Sequence, residues 1–303
     1  MKKFLWKGVL FTSLLLLVFL CFEFLVFPNN KNVYSIKYKL LQDQGIEVIV
    51  AGNSHLGFSI VSDSLSFTSV NIANKARQLE TDIDILLQDD LFKKKYVKHI
   101  LIPISYYSLF NQLKENNSYH SSQMRLYYNF YKIEAYSQGI YKNSLLLNEP
   151  FRELFEDSFF LNYTKKNPFS KKGWRANDVL FSKDSGIHKK INNLEIAVYN
   201  KETIRYNLGK IKQLLLICQK NNIQLHLVLP PYSSYYYSFT NNKYNTLIKG
   251  LLKDLTDSDY CNLIDSNQFM STHIEYYENT DHLNAVGAIL YTQKIDSILK
   301  RHL

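Results

Sequence analysis

The sequence predicts an α/β domain on a mostly parallel sheet, held behind one N-terminal apolar helix. Three observations predict it: a long apolar run near the N-terminus, short apolar strands alternating with amphipathic helical segments, and Gly or Pro punctuation after several of those strands.

Lys2, Lys3 and Lys7 precede a nearly continuous apolar run from Gly8 to Phe27, broken only near its end by Glu23. About 20 predominantly apolar residues cross a bilayer, so the run has spanning length. The far end, Leu20-Cys21-Phe22-Glu23-Phe24-Leu25-Val26-Phe27-Pro28, lacks the small-residue pattern of a cleavage site, and Cys21 follows Leu20 rather than a small residue. The expectation is an uncleaved signal-anchor helix over residues 1–28. Basic residues before the run keep the N-terminus cytoplasmic and place everything beyond it on the exported side. A linker is expected over 29–44, with polar Asn29–Asn32 at its start.

The rest reads as one domain over 45–303. Ile46–Ala51 is an apolar run ended by Gly52-Asn53, the first strand, and Ser69–Ala73 is the second. Leu79, Ile83, Leu86, Leu87 and Leu91 carry helical spacing through about Phe92. Val97–Ile104 is the third strand, with Pro103 marking its end. An amphipathic helix covers 203–221, Ile223–Leu229 is the fourth strand and Pro230-Pro231 stops it. Tyr244–Leu255 is helical, Asn262–Ile264 a short strand and Ala285–Leu299 the closing helix. Strands that are apolar throughout rather than alternating fit a sheet covered on both faces. The stretch from about 106 to 174 breaks this rhythm. It is crowded with aromatics, as in Tyr127-Tyr128-Asn129-Phe130-Tyr131 and Phe159-Phe160-Leu161-Asn162-Tyr163, and reads as a helical insertion whose rings pack together. The other reading of those rings is an aromatic cleft for a glycan or partner.

A hydrophobic content of 46% excludes a disordered chain. The net charge of +9 comes from scattered Lys, and an exported domain meets no genome, so nucleic acid is excluded as partner and an anionic membrane or glycan surface is favoured. Cys218 and Cys261 lie far apart in apolar patterns and read as buried thiols; no metal or organic cofactor is implied.

In an open parallel sheet, sites form at the carboxyl ends of strands. The first strand ends in Gly52-Asn53-Ser54-His55, where glycine permits a sharp turn that exposes Ser54. Asp281-His282-Leu283-Asn284 directly precedes the last helix, with Asn284 as its N-cap. A serine with a histidine base held by a polar neighbour is the apparatus of nucleophilic acyl transfer.

With Val70-Asn71-Ile72-Ala73-Asn74 and Leu227-Val228-Leu229-Pro230-Pro231-Tyr232, these motifs resemble the SGNH (GDSL-like) hydrolases. Within them the chain is similar to the membrane-anchored branch of surface-polymer acylation, which includes the DltD and alginate acetylation proteins. The resemblance spans most of 45–300 and implies a flavodoxin-like, three-layer parallel sheet. It implies Ser54 as nucleophile and His282 as general base, with the backbone N–H groups of Ser54 and of the loop around Ala73 and Asn74 holding the oxyanion. Gly52, Asn53 and Ser105 complete the expected substrate side. Two positions depart from the pattern. The acid ordinarily three residues before the histidine is Asn279 here, while Asp281 stands immediately before it, and the third strand ends in Ile104-Ser105-Tyr106 rather than Gly-x-Asn-Asp. The resemblance further implies an exported acyltransferase or esterase acting on a surface polysaccharide, supplied by a membrane-bound O-acyltransferase. The other class of function is a non-catalytic scaffold or glycan-binding subunit that keeps the fold.

Overall fold

A computed structural model describes residues 2–26, 32–88, 96–113, 117–148, 170–175, 181–182, 191, 193, 195, 200–240 and 243–302. The chain divides into two compact units, Met1–Lys39 with Lys114–Asn167, and Leu40–Leu113 with Pro168–Leu303.

In the first unit, α1 (Lys2–Cys21) continues into a π-helical turn, Phe22–Val26. The stretch Lys2–Leu25 is long and apolar enough to cross a membrane. Helix α2 (Val33–Leu41) occupies much of the stretch expected to be a linker. The physical reason is local: Asn32 Oδ1 accepts the Ser35 N–H at 2.9 Å, an N-cap bond, and Tyr34 and Tyr38 have aromatic partners. Those partners lie on α5 (Ser118–Tyr131): Tyr34 meets Tyr127 and Phe130 at 5.4 and 5.8 Å between ring centres, and Tyr38 meets Tyr131 at 5.6 Å. Tyr127 and Tyr131 are fully buried, so these rings of the insertion supply core area. Phe159–Tyr163, Leu91 and Phe92 lie outside the described residues. Two short helices follow, α6 (Ile140–Asn143) and α7 (Leu145–Asn148).

The second unit is built on a five-stranded, all-parallel sheet in the order β2-β1-β3-β4-β5, where β1 is Val48–Val50, β2 Ser69–Asn71, β3 His99–Pro103, β4 Gln224–Leu229 and β5 Cys261–Asp265. β1 to β4 each lie within a run expected from the sequence, β5 extends one residue beyond the expected Asn262–Ile264 at each end, and the closing helix α11 (Ala285–Leu299) has the expected bounds. Between the strands lie α3 (Ser54–Ser59), α4 (Leu79–Leu86), α8 (Lys201–Lys220), α9 (Ser234–Thr240) and α10 (Lys243–Thr256). Helix α11 packs on α3, and α8 on α4. One face of the sheet gives Val48, Val50, Leu101, Val228 and Ile264 to a core shared with Leu56, Ile60, Tyr291, Ile295 and Leu299. Alternate residues Ile49, Ile100, Ile102, Leu225 and Leu227 are equally buried and, by strand alternation, point to the opposite face. Covering on both faces explains why these strands read as unbroken apolar runs. Strand order reverses beside β1, so the crevice at the carboxyl ends of β1 and β3 is where such sheets place a site.

Candidate active site

The turn after β1 is shaped by one glycine. Gly52 has φ +117°, and a Cβ there would stand 2.1 Å from Pro103 Cδ at the end of β3. Its N–H donates to Asp82 Oδ1 at 2.8 Å, and Asp82 is itself paired with Arg77 Nε at 2.5 Å. Asn53 then caps α3 by accepting the His55 N–H at 3.0 Å, which puts Ser54 at the first helical position and half-buried.

The second half of the site is a tight loop ahead of α11. Tyr277 and Leu283 form an antiparallel bridge, Glu278 N–H donates to the His282 carbonyl at 3.0 Å, and Asp281 N–H donates to Asn279 Oδ1 at 3.1 Å. The Thr280 carbonyl accepts both the N–H and the hydroxyl of Ser233, at 3.1 and 2.9 Å, so the Pro230-Pro231-Tyr232 segment after β4 clamps this loop. Asn284 caps α11 through the Gly287 N–H at 3.1 Å.

The two halves meet across 228 residues of sequence, with Ser54 Oγ 2.8 Å from His282 Nε2. The other ring nitrogen, Nδ1, is 3.0 Å from Asn279 Oδ1 and 2.9 Å from Asp281 Oδ1. The Nδ1–H has both oxygens within reach, and Asp281 adds a negative charge at ion-pair distance. The Asp281 side chain is 1% exposed and that of His282 14%. Burial alone would raise the Asp281 carboxyl, but the charge and hydrogen bond of His282 and the hydrogen bond of His55 outweigh it and hold the group well below the usual carboxylate range.

Two residues that sequence reasoning did not assign complete the cluster. His55 is fully buried and its ring stacks on His282, 4.9 Å apart at 12°. Ser105 Oγ accepts from Asn53 Nδ2 at 3.0 Å and lies 2.6 Å from His55 Nδ1, with Asn53 Oδ1 3.1 Å from the same ring nitrogen. The other ring nitrogen, Nε2, faces Asp281 Oδ2 at 3.4 Å. Tyr106 O–H donates to the same oxygen at 3.0 Å; burial first, and the Asp281 charge second, push its ionisation far up, so it stays a donor. A histidine following the serine and a tyrosine ending the third strand were the only signals available.

The expected oxyanion side is different in the structure. Gly52 N–H is committed to Asp82, Ala73 N–H donates to Asn71 Oδ1 at 3.1 Å, and Asn74 N–H donates to the Gly52 carbonyl at 2.8 Å. Asn53 and Ser105 are buried and spend their side chains on His55. Among the described residues the Ser54 N–H has no acceptor, and neither has the Asn74 side-chain Nδ2, whose Oδ1 accepts the Lys75 N–H at 2.9 Å.

His55, Asp281 and His282 bring ligand-type atoms within 4.8 Å of one another. Their arrangement does not suit a metal ion. The two imidazoles are nearly parallel and stacked, so their in-plane lone pairs do not converge on one point about 2.0–2.1 Å from both.

No protein-family model matches the sequence, and no curated protein matches it. Among solved structures, the chain is similar to that of "a putative platelet activating factor from Streptococcus pneumonia", at 10% identity over 95% of this chain and 98% of that one, with a TM-score of 0.41.

Proposed function

We propose that the chain is a membrane-anchored, exported serine acyltransferase or esterase of the SGNH type, with O-acylation of a cell-surface polysaccharide, acetylation in the first instance, as its task. The observation that carries this reading is the 2.8 Å contact between Ser54 Oγ and His282 Nε2, with Asn279 and Asp281 behind the ring. The five-stranded, all-parallel sheet in the order β2-β1-β3-β4-β5 supports the same reading, in which the sheet is of the flavodoxin-like, three-layer kind.

In this mechanism Ser54 Oγ attacks the carbonyl carbon of an acyl ester as its proton passes to His282 Nε2. Negative charge on the carbonyl oxygen is met by the Ser54 N–H and the Asn74 amide. Collapse breaks the ester C–O bond, and the Nε2 proton leaves with the departing alcohol. A sugar hydroxyl or water then attacks the acyl-serine carbonyl, giving its proton to the same nitrogen, and collapse breaks the acyl–Oγ bond as that proton returns to Ser54 Oγ, releasing the new ester or the free acid. Asn279 orients the imidazole, and Asp281 stabilises the imidazolium formed in both halves.

The commitment of the Ala73 and Asn74 N–H groups favours a second reading, in which the fold serves as a partner or glycan-binding subunit without chemistry. A fluorophosphonate probe applied to the full-length protein in membranes separates the two. The catalytic reading expects one labelled serine, Ser54, and loss of label in His282→Ala. It also expects that Ser54→Ala fails to restore acylation of the surface glycan in a deletion strain. No label on Ser54, together with full restoration by Ser54→Ala, hands the protein to the scaffold reading.

A further inference from the structure

The N-terminal apolar helix carries one acid, and that acid is bonded to the insertion. Glu23 lies sixteen residues beyond Lys7, about 24 Å along a helix axis at 1.5 Å per residue. The hydrocarbon layer is about 30 Å thick, so with Lys7 at one interface the Glu23 carboxylate stands just inside the apolar edge at the other. A carboxylate there needs partners. It has three: Oε1 accepts the Leu145 N–H at 2.8 Å, and Oε2 accepts the Leu146 N–H and the Ser144 hydroxyl, each at 3.0 Å. Glu23 is 8% exposed. Ser144–Leu146 must therefore sit at the same depth as Glu23, at the boundary of the bilayer.

The residues around this clamp are apolar and uncovered. Ile140 is 96% exposed, Tyr141 69% and Leu147 52%, beside Phe24 at 66% and Leu25 at 62% on the helix itself. In water such a group is an unpaired apolar surface; at the edge of a bilayer it is an interfacial seat, with Tyr141 at headgroup level and Lys142 placed for anionic lipid. We propose that α6 and α7, Ile140–Asn148, are seated in the interfacial layer of the membrane, fixed there by Glu23. The occupant of this surface is lipid. This rests on reading Lys2–Leu25 as a membrane-spanning helix. It also gives Glu23 a structural duty that a chain cleaved after the apolar run would lose.

The test uses the full-length protein in vesicles, with Cys21→Ser as background because Cys218 and Cys261 are buried. An environment-sensitive fluorophore is attached at Ile140→Cys or, separately, at Leu16→Cys within the apolar helix. The expected result is quenching of both labels by brominated lipid, and iodide quenching at position 140 severalfold below that of the free cysteine adduct. Adding Glu23→Ala should bring iodide quenching at 140 up towards the free adduct while leaving position 16 unchanged. If position 16 is quenched by bromine and position 140 responds to iodide like the free adduct, the seat is refuted while the span stands. If neither label meets bromine, the spanning helix and the seat both fall.

Discussion

Asp281→Asn separates charge from shape at the centre of the proposed site. The replacement keeps volume and an oxygen, and removes a negative charge 2.9 Å from His282 Nδ1. At an effective dielectric of about 20, two unit charges at that distance interact by about 6 kcal/mol. His282 retains 14% exposure, so water screens part of this and about 3–5 kcal/mol remains for the imidazolium that forms on serine attack. That corresponds to a loss of roughly 10²–10⁴-fold in the second-order rate of fluorophosphonate labelling at Ser54. Asn279→Ala removes a hydrogen bond of 3.0 Å and no charge, which costs about 1–2 kcal/mol, roughly tenfold. Both rates are read on full-length protein at one pH. Thermal unfolding runs alongside, because Asp281 also receives His55 and Tyr106 and its loss affects stability. The reasoning is refuted if both variants keep their fold and Asn279→Ala loses as much rate as Asp281→Asn, since the hydrogen bond rather than the charge would then support the histidine.

Ser54→Ala should abolish labelling and change stability by less than about 0.5 kcal/mol, since the half-buried hydroxyl fills no core space; a labelled variant would exclude Ser54 as the reacting residue. Gly52→Ala places a methyl against Pro103 at a positive φ, so it should cost about 3 kcal/mol or more in unfolding and displace Ser54, and a neutral change would overturn the account of this turn. His99 and His226, fully buried and 3.1 Å apart at the other end of the sheet, are lowered by burial to about 4 and about 3 respectively. Their unfolded value is about 6.5, so the unfolded chain binds more protons below that pH. Stability is complete above about pH 6.5 and falls on acidification towards pH 4, by up to about 1.4 kcal/mol per pH unit for each ring. Denaturation at pH 7, 6 and 5 measures the slope, which His226→Gln should reduce; a flat profile would contradict the assignment of neutral rings.

The elements legible in the sequence are those whose burial is decided locally. β1, β3 and β4 read as strands because both of their faces are covered, and Ala285–Leu299 read to its ends because Asn284 caps it. Helices α2, α3 and α9 did not. Ser54–Ser59 is six residues with a glycine inside, too short for an apolar period, and Ser234–Thr240 carries three consecutive tyrosines, whose intrinsic preference is for strands. Tertiary contacts override that preference: Tyr236 is fully buried, with its ring 4.4 Å from Tyr232 and 5.4 Å from Tyr106.

The site divides the same way. Ser54, Asn279, Asp281 and His282 stood in two short motifs, each at a strand end or a helix start, and the sheet brings those motifs together. What the sequence left open was which of Asn279 and Asp281 answers His282. The turn brings both to the ring. With Tyr277 bridged to Leu283 and the Asp281 N–H folded back on Asn279 Oδ1, residues 279 and 281 both reach Nδ1 from one loop. A buried carboxylate with one imidazole partner would be costly to keep ionised. Here His55 and Tyr106, from α3 and from the loop after β3, each face its other oxygen. His55 is held for that task by Ser105 and Asn53, the two residues expected on the substrate side. Both are buried behind the histidine pair.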